Sequence, residues 1–132
     1  AQWSGLGTGM NGTVRTVLID GNQLIVGGDF TTADGATAHR IAHWDGSNWA
    51  PLGGGMNGPV WALALHAGGV VAAGEFTTAG GVAASRIARW DGSTWTPLGT
   101  GMDAAVRALA VYGGELVAGG EFTSAGGVAA SR

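Results

Sequence analysis

Residues 86–98 read RIARWDGSTWTPL, and this stretch decides the fold. Its two short runs flank Asp91-Gly92, a strong β-hairpin signal because both central residues of a type I′ turn need positive φ. If this pair forms a two-residue loop, Trp90 pairs with Ser93 and Ala88 pairs with Trp95. The two tryptophans then lie diagonally on one sheet face, where large rings can touch. The stretch therefore predicts a hairpin with a pair of core tryptophans.

A second hairpin is predicted upstream of the first. Residues 60–65 are apolar on both faces, Ala67-Gly68-Gly69 predicts a tight turn, and residues 70–76 return. A loop rich in Gly and Ala, residues 77–85, joins the two hairpins. One unit thus contains four short strands.

The same landmarks recur every 46 residues. Comparison of residues 47–86 with 93–132 gives 26 identities in 40 positions, which indicates duplication with little divergence. The repeats are 1–46, 47–92 and 93–132, and the last lacks about six residues, including its predicted third strand. The landmark series are Trp3, Trp49 and Trp95; Met10, Met56 and Met102; Phe30, Phe76 and Phe122; and Arg40, Arg86 and Arg132.

These features predict an all-β chain of about three β-propeller blades, each a four-stranded antiparallel sheet covered by its neighbours. A parallel β-helix is the minor alternative. Propellers close with roughly four to eight blades, so we expect a ring completed by self-association or by a longer parent chain. A dimer with six blades is favoured over a trimer or a tetramer. Residues 2–6, an outermost strand with no hairpin partner before it, indicate closure by strand exchange.

The repeat pattern Trp-Asp-Gly-Ser-x-Trp-x-Pro-Leu-Gly-x-Gly-Met, Val-x-Ala-Leu, Gly-Glu-Phe-Thr-x-Ala-Gly-Gly and Ser-Arg-Ile-Ala resembles kelch-like propeller repeats of bacterial surface or secreted proteins. It is also similar to the propeller repeats of fungal cortical polarity markers. The resemblance covers the whole chain and implies a propeller fold and a secreted or cell-surface location. It implies little about activity, because such propellers serve many purposes.

Composition argues against several partners and cofactors. Six arginines without lysine form no basic stripe, which disfavours nucleic acid, and no apolar run approaches the ~20 residues of a membrane-spanning helix. There is no cysteine for a disulfide or a thiolate. Gly7-x-Gly9-x-x-Gly12 precedes a strand rather than a helix, so it predicts no dinucleotide site. His39 and His43 lie roughly 13 Å apart on a strand, too far for one metal ion, and are interpreted as facing solvent. We expect no cofactor and no metal.

A repeated acid precedes each repeated phenylalanine: Asp29, Glu75 and Glu121. We predict that each pairs with the arginine across the following loop, Arg40, Arg86 or Arg132, and closes that loop; a general base beside an anion-holding arginine is the alternative. The full set of predicted structural residues is Trp3, Trp44, Trp49, Trp90, Trp95, Phe30, Phe76, Phe122, Asp45, Gly46, Asp91, Gly92, Arg40, Arg86 and Arg132.

Positions that vary within the constant repeat are the candidate ligand-binding residues, since folding does not fix them; neutral drift between duplicated blades is the alternative. They are Arg15, Trp61 and Arg107 at the start of the inner strand, and Asp20, His66 and Tyr112 in the first hairpin turn. The interblade loop adds Asn11, Asn57 and Asp103.

The sequence therefore predicts a non-enzymatic propeller that acts as a scaffold or protein-interaction module. A lectin-like carbohydrate binder with repeated pockets is the alternative, and exposed aromatics at matching positions would favour it. The candidate ligands are a protein or a glycan. A glycan-active enzyme needs a nonrepeating acid pair, which the sequence does not display.

Overall fold

The computed structural model describes residues 9–123, 125–126 and 129–131. It is all-β, and the predicted class of small antiparallel sheets is confirmed. Trp3, Arg132 and the predicted strand at residues 2–6 lie outside the described residues. The strands are β1 (Val14–Asp20), β2 (Gln23–Gly28), β3 (Thr32–Ala33), β4 (Ala36–Thr37), β5 (Ile41–Trp44), β6 (Trp49–Pro51), β7 (Val60–His66), β8 (Gly69–Gly74), β9 (Thr78–Ala79), β10 (Val82–Ala83), β11 (Ile87–Trp90), β12 (Trp95–Pro97), β13 (Gly101–Met102), β14 (Val106–Tyr112), β15 (Glu115–Gly120), β16 (Ala125–Gly126) and β17 (Ala129–Ser131).

Two four-stranded antiparallel sheets form the first and second blades, in the orders β1-β2-β5-β6 and β7-β8-β11-β12. Their strand order follows the chain order, as expected of two successive hairpins. The predicted loop between the hairpins contains a short hairpin of its own, β3-β4 in the first blade and β9-β10 in the second.

The third blade has three strands in the order β14-β15-β17. Ala129–Ser131 occupies the position of the predicted missing third strand, but it runs parallel to β15. The corresponding pairs, β2-β5 and β8-β11, are antiparallel.

The structure corrects the predicted turn chemistry. The loop around Asp91-Gly92 has four residues, because Trp90 pairs directly with Trp95 rather than with Ser93. The Asp91 Oδ1 accepts 2.8 Å hydrogen bonds from the backbone N–H groups of Ser93 and Thr94. This local bonding holds the backbone in an Asx turn, in which Gly92 alone has positive φ. Asp45 and Gly46 form the same turn in the first blade.

The two-residue turn with two positive φ values lies instead in the first hairpin of the second blade. His66 pairs with Gly69, and Ala67 and Gly68 between them have φ of 51° and 78°. Gly113 and Gly114 repeat this arrangement in the third blade. Type I′ geometry matches the right-handed twist of paired strands, so it suits the tight connections between these long inner strands.

The tryptophan pairs pack directly across each outer hairpin. Ring centroids are 5.3 Å apart for Trp44 and Trp49 and 5.4 Å apart for Trp90 and Trp95. Trp95 is buried and the other three are half-buried. Aromatic contacts at this separation add to the apolar burial that holds each outer strand.

The core lies between blades as well as within them. Ile25, Ile41 and Leu52 of the first blade pack in one cluster with residues of the second, including Val60 and Leu63. A cluster displaced by 46 residues joins the second blade to the third. Phe30, Phe76 and Phe122 are buried in the corresponding positions of the three units.

Candidate functional site

A β-bulge interrupts the inner hairpin of every blade at the same place. The register between the first two strands skips one residue, and the skipped residues are Arg15, Trp61 and Arg107. A bulge opposes two residues to one and re-aims the side chain of the extra residue. The three predicted variable residues therefore sit at bulges, and we call these the rim positions.

The residue opposite each bulge is glycine, and steric contact requires it. A Cβ at Gly28 or Gly74 would lie 2.1 Å from the carbonyl oxygen of Thr13 or Pro59, and one at Gly120 would lie 2.4 Å from that of Ala105. Any side chain there would push the strands apart. The recurring glycine is the sequence signal for the bulge, which was not among the features predicted from the sequence.

The acid after this glycine pairs with the rim position. Arg15 donates to Asp29 through Nε (3.0 Å to Oδ1) and Nη2 (2.8 Å to Oδ2), and this pairing lowers the pKa of the Asp29 carboxyl below its usual range. Arg107 pairs with Glu121 in the third blade, where Nε (2.5 Å) and Nη2 both contact the single oxygen Oε2. In both pairs the partner lies on the inner strand.

The predicted pairing of these acids with Arg40 and Arg86 is therefore wrong. The Nη1 atoms of these arginines donate to the backbone carbonyls of Met56 (3.4 Å) and Met102 (3.5 Å) instead. Both arginines have φ of +67°. Their role is to join one blade to the connection that enters the next, while the bulge brings Arg15 or Arg107 to the acid. Arg132, the third member of the predicted series, lies outside the described residues.

The rim position of the second blade holds an aromatic residue instead of an arginine. The guanidinium carbon of Arg107 lies 4.3 Å from the ring centroid of Trp61, a cation–π contact between the second and third blades. The indole Nε1 of Trp61 is buried and has no hydrogen-bond partner. Glu75, the acid of this blade, is exposed.

The predicted turn residues lie at the other end of the inner strands. Five residues separate Arg15 from Asp20, or about 17 Å of extended chain, so the structure does not bring the two candidate sets together. The His66 Nε2 lies 3.1 Å from the carbonyl oxygen of Gly114 in the next blade's turn. Tyr112 is 83% exposed, and Asp20 borders a cavity of about 120 Å³ that Trp90 also lines.

The interblade loop residues are fixed by folding, contrary to the prediction that they are free to vary. The Oδ1 of Asn57 accepts hydrogen bonds from the backbone N–H groups of Thr77 (2.8 Å) and Thr78 (3.0 Å), and its Nδ2 donates to the Thr77 hydroxyl. Asn11 makes the same contacts with Thr31 and Thr32. Asp103 accepts from the Thr123 N–H at 2.7 Å. We call these residues the loop clamps.

The histidines near the first blade's third strand differ in environment. His39 is exposed and lines an open cavity of about 330 Å³, whereas His43 is half-buried with an unpartnered Nδ1, so its predicted solvent-facing position is wrong. Among residues 9–123, 125–126 and 129–131, no three His, Asp or Glu side chains are grouped to hold a metal ion. The same part of the chain contains no helix of the length and apolarity needed to cross a membrane.

Comparison with known proteins gives no match: no family model, no curated protein and no solved structure is similar to this chain. The resemblance to kelch-like repeats thus stays a prediction from the repeat pattern.

Proposed function

We propose that this chain is a non-enzymatic β-propeller module, a rigid scaffold for protein interactions that closes into a ring by self-association. Neighbouring blades of this chain pack through one kind of interface, which occurs twice: between the first and second blades and between the second and third. The observation that carries the proposal is that the two faces needed to form this interface once more are exposed. The face of the first blade that points away from the second is one half. The face of the third blade that points away from the second is the other.

The exposed face of the first blade has the residue pattern of a buried one. Val17 is 56% exposed, whereas Leu63, its equivalent in the second blade, is 8% exposed. Val14 is exposed and its equivalent Val60 is buried. Ile19 is 71% exposed on the same strand. Contiguous apolar side chains of this kind mark an interaction surface.

The exposed face of the third blade supplies the complementary half. Ala108 and Ala110 are exposed on β14, while their equivalents Ala62 and Ala64 are buried in the second blade. Ala64 lies in the cluster that the second blade shares with the third. Packing the first blade of one copy on the third blade of another would therefore repeat the internal interface.

This contact is head-to-tail, and a head-to-tail contact forms a ring when its rotation closes. Two copies give six blades, within the usual range, and we favour this dimer over a trimer or a tetramer. Further blades of a longer parent chain would cover the same faces.

Burial of the tryptophans favours a scaffold over a lectin. Trp44, Trp49 and Trp90 are half-buried against their neighbours and Trp95 is buried, so they offer no repeated exposed platform for sugar rings. Tyr112 is exposed, but its equivalents in the other blades are Asp20 and His66.

Native mass spectrometry of the chain, with the denatured mass of the same sample, tests the proposal. We expect a single closed species, a dimer, that dissociates to monomers in Val17→Asp while the far-UV circular dichroism spectrum is unchanged. Val82→Asp is the matched control, because Val82 is also an exposed valine but lies on β10 and not on the exposed face of the first blade. A monomeric wild-type chain, or equal effects of the two substitutions, would overturn self-association.

A further inference from the structure

The three blades have three acids next to the rim positions, Asp29, Glu75 and Glu121, but only two of the rim positions hold an arginine. Asp29 is matched by Arg15 and Glu121 is matched by Arg107, both in direct ion pairs. Glu75 forms no ion pair or hydrogen bond through its side chain with another described residue. The second blade thus has the acid of the repeated pair and lacks its cation.

The backbone places Glu75 as it places the two paired acids. The Glu75 N–H donates to the Pro59 carbonyl at 3.1 Å, and the corresponding bonds from Asp29 and Glu121 measure 2.8 and 2.9 Å. The bulge at Trp61 is the same as those at Arg15 and Arg107. Glu75 therefore begins from the same position on its blade as the acids that hold a guanidinium.

The indole ring of Trp61, which stands where the neighbouring blades have arginine, can itself make a cation–π contact. Trp61 already has the Arg107 guanidinium 4.3 Å from its ring centroid. A guanidinium group satisfies a carboxylate through two parallel hydrogen bonds and stacks on an aromatic face, whereas an ammonium group acts as a point charge. The second blade offers the carboxylate of Glu75 and the indole of Trp61, one face of which the Arg107 guanidinium already occupies.

We propose that Glu75 and Trp61 form a binding site for an arginine side chain of a partner protein. The partner's guanidinium takes the place that Arg15 and Arg107 fill in the neighbouring blades, pairs with the Glu75 carboxylate and lies beside the Trp61 indole. The partner surface is therefore basic at this point. The proposal extends the scaffold function but does not need a closed ring, because one chain contributes both residues.

An NMR titration of the full chain with acetyl-arginine amide tests this assignment. We expect millimolar binding that shifts the Trp61 indole N–H and the Glu75 amide signals. Acetyl-citrulline amide, which has nearly the same shape without the charge, should bind about fivefold more weakly, as should acetyl-arginine amide to Glu75→Gln. Acetyl-lysine amide with a free side chain distinguishes a guanidinium site from a general cation site, and equal binding of the two cations would overturn the choice of arginine.

Trp61→Arg is the decisive variant, because it supplies the guanidinium from the chain itself as the neighbouring blades do. It should keep the circular dichroism spectrum and lose the response to acetyl-arginine amide. Ser93→Ala, an exposed residue in the outer-hairpin turn at the opposite end of the same blade, should bind as the wild type does. Absence of any shift in the wild type, equal binding of the citrulline compound, or full binding by Glu75→Gln would overturn the site. These results are read per chain, so they are independent of the mass-spectrometric test of assembly.

Discussion

The indole N–H of Trp95, in the second blade, donates a 2.9 Å hydrogen bond to the backbone carbonyl of Leu52, the residue that follows the last strand of the first blade. Both residues are buried, at 4% and 5% exposure. A core tryptophan thus also links two blades and satisfies a carbonyl that water cannot reach.

Replacing Trp95 with phenylalanine keeps an aromatic ring and removes this donor. The Leu52 carbonyl is then buried without a partner, and we expect a loss of about 1–3 kcal/mol in the free energy of unfolding. Urea denaturation followed by circular dichroism measures it. Trp90→Phe is the control, since the Trp90 ring is half-buried and its indole donates no hydrogen bond to another described residue. An equal loss in both variants would contradict the role of the bond.

Two substitutions of the loop clamp Asn57 should differ in how much they lower the free energy of unfolding. Asn57→Ala removes the acceptor for the Thr77 and Thr78 N–H groups and should lower the unfolding free energy by about 1–2 kcal/mol. Asn57→Asp keeps that acceptor, as Asp103 does naturally in the third unit, and should cost less than half as much. Thermal unfolding of the two variants decides the matter, and a similar loss in both would show that the acceptor is unimportant.

The bulge glycines predict a steric penalty. Gly74→Ala places a Cβ 2.1 Å from the Pro59 carbonyl oxygen, and we expect a loss of about 3 kcal/mol in unfolding free energy. Ala67→Gly is a substitution of opposite sign, because Ala67 has φ of 51° where the other units carry Gly21 and Gly113. It should stabilise the chain by about 0.5–1 kcal/mol. Chemical denaturation of both variants measures these changes, and a tolerated Gly74→Ala would contradict the bulge argument.

Acid should destabilise the chain through its structured aspartates. Backbone N–H groups of Asn48 and Ser47 lower the pKa of Asp45, those of Thr94 and Ser93 lower the pKa of Asp91, and Arg15 lowers the pKa of Asp29. A carboxyl with a lowered folded-state pKa stabilises the fold above its unfolded-state pKa of about 3.9, and this contribution is lost as pH falls through the folded-state value. The thermal midpoint should therefore decline below about pH 4.

The double variant Asp45→Asn and Asp91→Asn checks the cause of that decline. Asparagine keeps the Oδ1 acceptor of the Asx turn and removes the titrating group. The decline in thermal midpoint between neutral and acidic pH should become smaller, with a similar midpoint at neutral pH. An unchanged slope would assign the acid sensitivity to other groups.

The strands and the tryptophan pairs could be predicted from the sequence, because apolar runs separated by turn residues carry local information. The register around Asp91 was not, since the pairing of Trp90 with Trp95 depends on whether the aspartate bonds to its own backbone or the chain takes a tighter turn. The partner of Asp29 was also mistaken. A bulge moves Arg15 to the acid, and a bulge is a property of two paired strands rather than of either segment alone.

The repeated bulge has a consequence for how such a chain diversifies after duplication. Each unit keeps one glycine that lets the two inner strands lie close together at the bulge, so the extra residue on the facing strand is released from the pairing rules that constrain the rest of that strand. This position is arginine in the first and third units (Arg15 and Arg107) and tryptophan in the second (Trp61), while the bulge is the same in all three. The charge at this end of the molecule can therefore change by substitution in one unit at a time, without a compensating substitution in the rest of the blade.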